Sequence, residues 1–217
     1  MNQTARHLRL AALISGGGRT ILNLLDRIER GELDAEFVLV IASRPCSGIQ
    51  RLRDRGLEVH MVPYGEMPDV ETYSAAINEL LDQSRPDLVL MGGFLSFWWI
   101  PSRYQGRVMN IHPALLPCFG GKGLYGRRVH EAVLAAGCKV SGCTVHFASN
   151  EYDAGPIIVQ RCVPVHEGDT PDSLAERVFE QECTAYPEAI RLFAEDRLRI
   201  DGNVVRILDR GRQANRV

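Results

Sequence analysis

Apolar runs and amphipathic stretches alternate along most of the chain. Leu8–Ile14 is mostly apolar and breaks into Ser15-Gly16-Gly17-Gly18. Over residues 19–30, Ile21, Leu22, Leu24, Leu25 and Ile28 recur at helical spacing, and Gly31 supplies a stop. Residues 37–42, 59–62, 88–91 and 108–111 read as buried strands, with helical patterns at 48–55 and 70–83. Residues 127–136 predict a helix closed by Gly137. Residues 139–148 and 156–165 predict two long strands joined by SNEYDAG, and a long helix starts at Pro171. This order predicts an α/β fold: a Rossmann-like, mostly parallel twisted sheet with helices on both faces and antiparallel strands in its C-terminal part. Such sheets bind ligands outside the carboxyl ends of their strands.

The totals narrow the field. With 217 residues there is enough chain for one sizeable core, so residues 1–217 are expected to form a single domain, with a core at about 8–198 and tails at 1–7 and 209–217. A net charge of −2 gives no electrostatic footprint for nucleic acid, and no apolar run has the length of a membrane span. The basic, apolar start breaks at once into glycines, unlike a secretory leader. Six cysteines form no CxxC pair and no zinc-spaced cluster with histidine. Free thiols in the cytoplasm, no bound metal, and a monomer or homodimer are the expectation.

Four groups of residues carry candidate chemistry. LISGGGRTIL, residues 13–22, puts three glycines between a strand and a helix, where backbone N–H groups can hold a phosphate; the alternative is a tight turn with no ligand. Asn110 and His112 stand two apart at the end of a strand, so both side chains face one side, and Pro113 forbids the strand to continue. They face either a cavity or a hydrogen-bonded interior. Asp153 lies in the loop NEYDAGP, where an Asp before Gly is also an ordinary turn residue. Glu182 falls in the middle of the stripe Leu174, Val178, Ala185, Tyr186, Ala189 and Phe193 on the last long helix. A carboxylate on a buried stripe needs a partner, either a ligand or an Arg or Lys.

The segments SGGGRTIL, GGFLSF, NIHPALLP, TVHF, DAGPIIVQ and QECTAYP together resemble the phosphoribosylglycinamide formyltransferase family, over nearly the whole chain. The resemblance implies formyl transfer from the co-substrate 10-formyltetrahydrofolate to the amine of glycinamide ribonucleotide, a purine-synthesis step that involves no metal. It implies Asn110, His112 and Asp153 as the catalytic trio, and Gly18, Arg19 and Thr20 around the substrate phosphate. Glu182 would grip the glycinamide ribonucleotide. Leu95, Ser96, Phe97 and Trp98 would surround the pterin with Asn110 and with Ser149, Asn150, Glu151, Tyr152 and Asp153.

The chain also departs from the family pattern. Ser96 and Val70 stand where the family has arginines, Gly17 replaces an Asn, and Arg19-Thr20 replaces Ser-Asn. FGGKGLYGRRVH is longer than in many members; its Lys122, Arg127 and Arg128 either replace the missing cations or form a solvated basic loop. His130 either lines the site or sits on a helix surface. Three related activities share the trio: formyltetrahydrofolate deformylase, methionyl-tRNA formyltransferase and formylation of an amino-sugar nucleotide. The first two ordinarily carry an extra domain, which is not expected in these 217 residues. A non-catalytic phosphate-binding module would explain the glycines but not the trio. An NAD-dependent oxidoreductase lacks support, because Ile21 replaces the third fingerprint glycine and no acidic residue ends the second strand.

Overall fold

A computed structural model describes residues 6–209; residues 1–5 and 210–217, most of the expected tails, lie outside the described residues. The elements run β1 (Leu8–Ile14), α1 (Arg19–Glu29), β2 (Ala35–Ala42), α2 (Ser47–Arg53), β3 (Val59–Met61), α3 (Val70–Ser84), β4 (Leu88–Met91) and β5 (Val108–His112). Then come α4 (Arg127–Ala135), β6 (Val140–Phe147), β7 (Ile157–Pro164), α5 (Pro171–Ala194), β8 (Leu198–Asp201) and β9 (Val204–Ile207). Among the described residues, nine strands form one sheet in the order β3-β2-β1-β4-β5-β6-β7-β9-β8. The pairs from β3 to β5 are parallel, and β5–β6 and β6–β7 are antiparallel, as the pattern predicts.

The sheet separates two apolar clusters, as strand alternation requires. Leu8, Leu10, Ala12 and Ile14 of β1 face the cluster that takes in α1, α2, α4 and α5, while Ala11 and Leu13 face the one built on Tyr73, Ile77 and Leu81 of α3. The same alternation sorts β5 and β6. Met109 and Ile111, with Cys143, Val145 and Phe147, join the α5 side. Asn110 and His112, with Thr144 and His146, therefore share the opposite face at the end of β5.

Helix α5 is built to start firmly. Thr170 and Ser173 form a reciprocal capping box, Pro171 occupies the first turn, and Arg177 grips Asp169 with two 2.8 Å bonds. The helix continues through Pro187, and its buried residues include Leu174, Val178, Ala185, Tyr186 and Ala189 of the expected stripe. Tyr186 crosses to the sheet, its hydroxyl donating to the carbonyls of Met109 (2.8 Å) and Met91 (3.2 Å). This ties α5 to the two strands that lead into the candidate site. The β8–β9 hairpin lies beyond the expected core boundary at 198. It joins the rest of the sheet through the single pair Ile157–Val204.

Candidate active site

Beyond the carboxyl ends of β1, β4 and β5 lies a cavity of about 530 Å³. Asn110, His112, Asp153, Arg19, Thr20, Glu182, Leu95 and Tyr152 all line it, so residues from five separate segments meet in one space.

The pairing of β5 with β6 sets the first two. Asn110 stands opposite His146 and His112 opposite Thr144. His146 Nδ1 is 2.9 Å from its neighbour's Phe147 carbonyl, which only accepts, so Nδ1 carries the proton. Burial lowers the pKa of His146 and keeps the ring neutral. Its Nε2 is then an acceptor, and the Asn110 amide donates to it at 3.1 Å. The same amide donates to Asp153 Oδ1 at 3.3 Å. His112 Nε2 must likewise be the donor to the Phe119 carbonyl at 2.8 Å, which leaves Nδ1 facing Asp153 Oδ2 at 3.5 Å. A second proton on Nδ1 turns that contact into an ion pair. His112 is only 4% exposed, so the charge would be held in a poorly solvated wall.

Asp153 reaches this position because its backbone is left-handed, at φ 54°, and because the chain after β5 folds over it. The Gly121 amide donates to Oδ2 at 2.9 Å. A Cβ on Gly120 would stand 3.2 Å from Asp153 Cβ and 2.5 Å from Leu116 Cδ2, so glycine permits the approach. Thr144 fixes the preceding turn: its hydroxyl donates to Ala114 O (2.7 Å) and accepts from Leu116 N (3.0 Å). In this arrangement both amide hydrogens of Asn110 and the Nε2 hydrogen of His112 already have protein acceptors. For either residue to donate to a substrate oxygen, Asp153, His146 or the Phe119 carbonyl has to release a bond.

The glycine loop forms another wall. Gly18 precedes α1 at φ 69°, and no side chain caps that helix, so its first-turn N–H groups are available to an anion beside Arg19 and Thr20. The loop packs on the start of α2, where a Cβ on Gly48 would stand 2.4 Å from Gly16 O. Gly18 itself shapes the loop and does not line the cavity. Arg19 is already engaged: its guanidinium makes two bonds to Glu176 (2.7 and 2.6 Å) and lies 4.0 Å from the centre of the Phe179 ring. Among the described residues no hydrogen bond or ion pair reaches Glu182. Burial pushes its pKa up to about 7, and the Arg19 charge pulls the other way. Of the two partners open to Glu182 on sequence, no Arg or Lys is bonded to it.

Several expected residues stand elsewhere. Ser96, Phe97, Trp98, Ser149, Asn150 and Glu151 do not line the cavity. Trp98 is 2% exposed and its indole donates to Asn78 Oδ1 at 3.1 Å. The Asn150 side chain holds the Ile100 backbone N–H (2.7 Å) and carbonyl (3.2 Å), and Ser149 bonds only Glu151 backbone. The Asn150 pair ties the two loops together. Phe97 packs against Tyr152 and Trp99. Of the basic loop, Lys122 and Arg127 line the cavity, but Arg127 is held by Glu131 and Asp172, and Arg128 lies over the Tyr125 ring. His146, Phe179 and the Phe119 carbonyl are functional neighbours that sequence reasoning did not single out. The alternation of β6, with Thr144 and His146 on the face of Asn110, is the signal that could have found His146.

Comparison with known proteins agrees with this geometry. The formyl transferase family matches residues 8–190. The chain is 38% identical over 202 residues to the chloroplastic phosphoribosylglycinamide formyltransferase of Arabidopsis thaliana, covering 89% of this chain and 68% of that one. It is 32% identical to the Escherichia coli phosphoribosylglycinamide formyltransferase, covering 90% of this chain and 92% of that one. The crystal structure of glycinamide ribonucleotide transformylase 1 from Symbiobacterium toebii superposes with a TM-score of 0.87 at 40% identity, covering 93% of this chain and 94% of that one. A match over most of the chain, with the trio and an unpaired carboxylate gathered in one cavity, means that this chain belongs to the formyl transferase family.

Proposed function

We propose that the protein transfers the formyl group of 10-formyltetrahydrofolate to the primary amine of glycinamide ribonucleotide. The observation that carries this reading is the meeting of Asn110, His112 and Asp153 with the unpartnered Glu182 in one cavity. The first three suit acyl transfer, and Glu182 suits an acceptor that offers hydroxyl or N–H donors.

Attack of the neutral amine on the formyl carbon puts negative charge on the formyl oxygen. The imidazolium of His112, paired with Asp153, lowers the energy of that charge in a wall where water screens little. Asn110 donates to the oxygen once one of its amide hydrogens leaves Asp153 or His146. Asp153 then holds a water that takes the proton from the attacking nitrogen and passes it to the folate nitrogen, as the oxyanion collapses and the bond between the formyl carbon and the folate nitrogen breaks. The uncapped start of α1, with Thr20, receives the phosphate, and Arg19 adds charge there once it exchanges its Glu176 pair for the phosphate. Phe94, Leu95 and Tyr152 offer a largely apolar wall to the pterin. Among the described residues no helix is long and apolar enough to cross a membrane, and all six cysteines are free. Free thiols suit a reducing compartment, in keeping with action in the cytoplasm.

The test follows 10-formyltetrahydrofolate consumption by the purified protein with and without glycinamide ribonucleotide. Consumption only with the amine supports the proposal. Equal consumption without it means hydrolysis, and none in either case rejects both.

A further inference from the structure

One side chain in the cavity wall has no part in the chemistry above. His130 lies on α4 and faces the cavity, although it is only 4% exposed. Its Nδ1 is buried with no hydrogen-bond partner, and no other hydrogen bond to the ring is made among the described residues. Val129 and Val133, its buried neighbours on α4, are apolar. An imidazole that only filled space beside them would be a poor choice, because a buried polar atom without a partner is costly and a phenyl ring would pack without that cost. Nδ1 is sealed within the wall, so a group entering the cavity meets the ring through Nε2, which is neither sealed nor bonded among the described residues.

The surroundings say what kind of group. Burial, reinforced by the charge of His112, lowers the pKa of His130, with Asp172 acting weakly the other way. The ring is neutral and offers one donor and one acceptor. Such a ring suits an uncharged amide or hydroxyl; a phosphate is better served by Arg19 and the start of α1. Helix α4 packs on α5, which contributes Ala175, Phe179 and Glu182 to the same cavity. The apolar wall assigned to the pterin, from Phe94, Leu95 and Tyr152, comes from other segments.

We propose that His130 is a positioning residue for the amine substrate, its neutral imidazole hydrogen-bonding an uncharged amide or hydroxyl of the acceptor along the α4–α5 wall. This rests on the formyl-transfer reading above. Three variants test it: His130→Phe keeps the ring volume and loses the hydrogen bonds, whereas His130→Asn and His130→Gln keep an amide near one or other ring nitrogen. Glycinamide ribonucleotide binding is measured calorimetrically without the formyl donor, beside KM and kcat for both substrates. His130→Phe is expected to weaken acceptor binding about tenfold and raise the acceptor KM to match, with kcat and the donor KM within about twofold of wild type. Asn or Gln is expected to recover most of the loss. Acceptor binding by His130→Phe within about twofold of wild type overturns the proposal while wild-type turnover leaves the function standing. A wild type that neither binds nor formylates the acceptor overturns both. If His130→Phe does not fold, acceptor binding by the Asn and Gln variants decides: near wild type in one of them supports the role, and about tenfold weakening in both rejects it.

Discussion

Replacing Glu182 by Gln should make the protein more stable and less able to hold its acceptor. The carboxylate is partly buried with no protein partner, and its pKa in the folded state is about 7. In an unfolded chain a Glu titrates near 4.3–4.5. Between these values the unfolded state has lost the proton and the folded state keeps it, so stability falls as pH rises through this window and the loss is complete above about 7. The difference of roughly 2.5 units corresponds to about 3 kcal/mol at pH 8, and only about 1 kcal/mol at pH 5. Gln cannot ionise and escapes the penalty. In a domain of this size, about 3 kcal/mol raises the thermal midpoint by roughly 6–12 °C. Thermal unfolding of both proteins at pH 5 and pH 8 reads the effect. The gain should be several-fold larger at the higher pH, while glycinamide ribonucleotide binding weakens by about tenfold or more. A gain equal at both pH values, or a loss at pH 8, would refute the account of Glu182 as an ionisable group held without a partner for a ligand's sake.

Further outcomes follow from the same geometry. His112→Ala, Asn110→Ala and Asp153→Asn should each lower kcat by about 10²-fold or more in the consumption assay while calorimetric acceptor binding changes by less than about threefold. His146→Leu removes the acceptor that aims the Asn110 amide, and kcat should fall by about tenfold with the KM values little changed in steady-state kinetics. Gly48→Ala drives a Cβ to within 2.4 Å of Gly16 O, so it should cost about 1–3 kcal/mol in urea titrations and weaken binding of the substrate phosphate, read as a raised acceptor KM.

Much of this architecture was legible before any coordinates. β1 through β7 and α1 through α5 follow from period and punctuation, because buried parallel strands are continuous apolar runs and the helices carry one apolar face. The pairing of Asn110 with His112 was legible from a two-residue spacing before a proline. Other features depend on partners far along the chain. The contact between Arg19 and Glu176 spans 157 residues, and that between Asn110 and His146 spans 36. Trp98 and Asn150 sit in segments that border the site, yet their side chains face the supporting structure, and one sequence does not reveal which way a loop residue turns. The β8–β9 hairpin escaped notice because its strands are four residues long and largely exposed. The Asp201-Gly202 step between short alternating stretches was the available signal.

The single bridge between Val204 and Ile157 has a dynamic consequence. Arg197 closes the base of the hairpin onto Leu208 and pairs with Glu195 at the end of α5, while Val204 and Ile207 remain exposed. Few apolar contacts therefore oppose its detachment, and opening it leaves the β1–β4–β5 centre of the sheet intact. Hydrogen exchange should therefore find the amides of β8 and β9 exchanging ahead of those of β1, β4 and β5. Opening at this edge would leave the strands that carry the cavity, β1, β4 and β5, paired as they are.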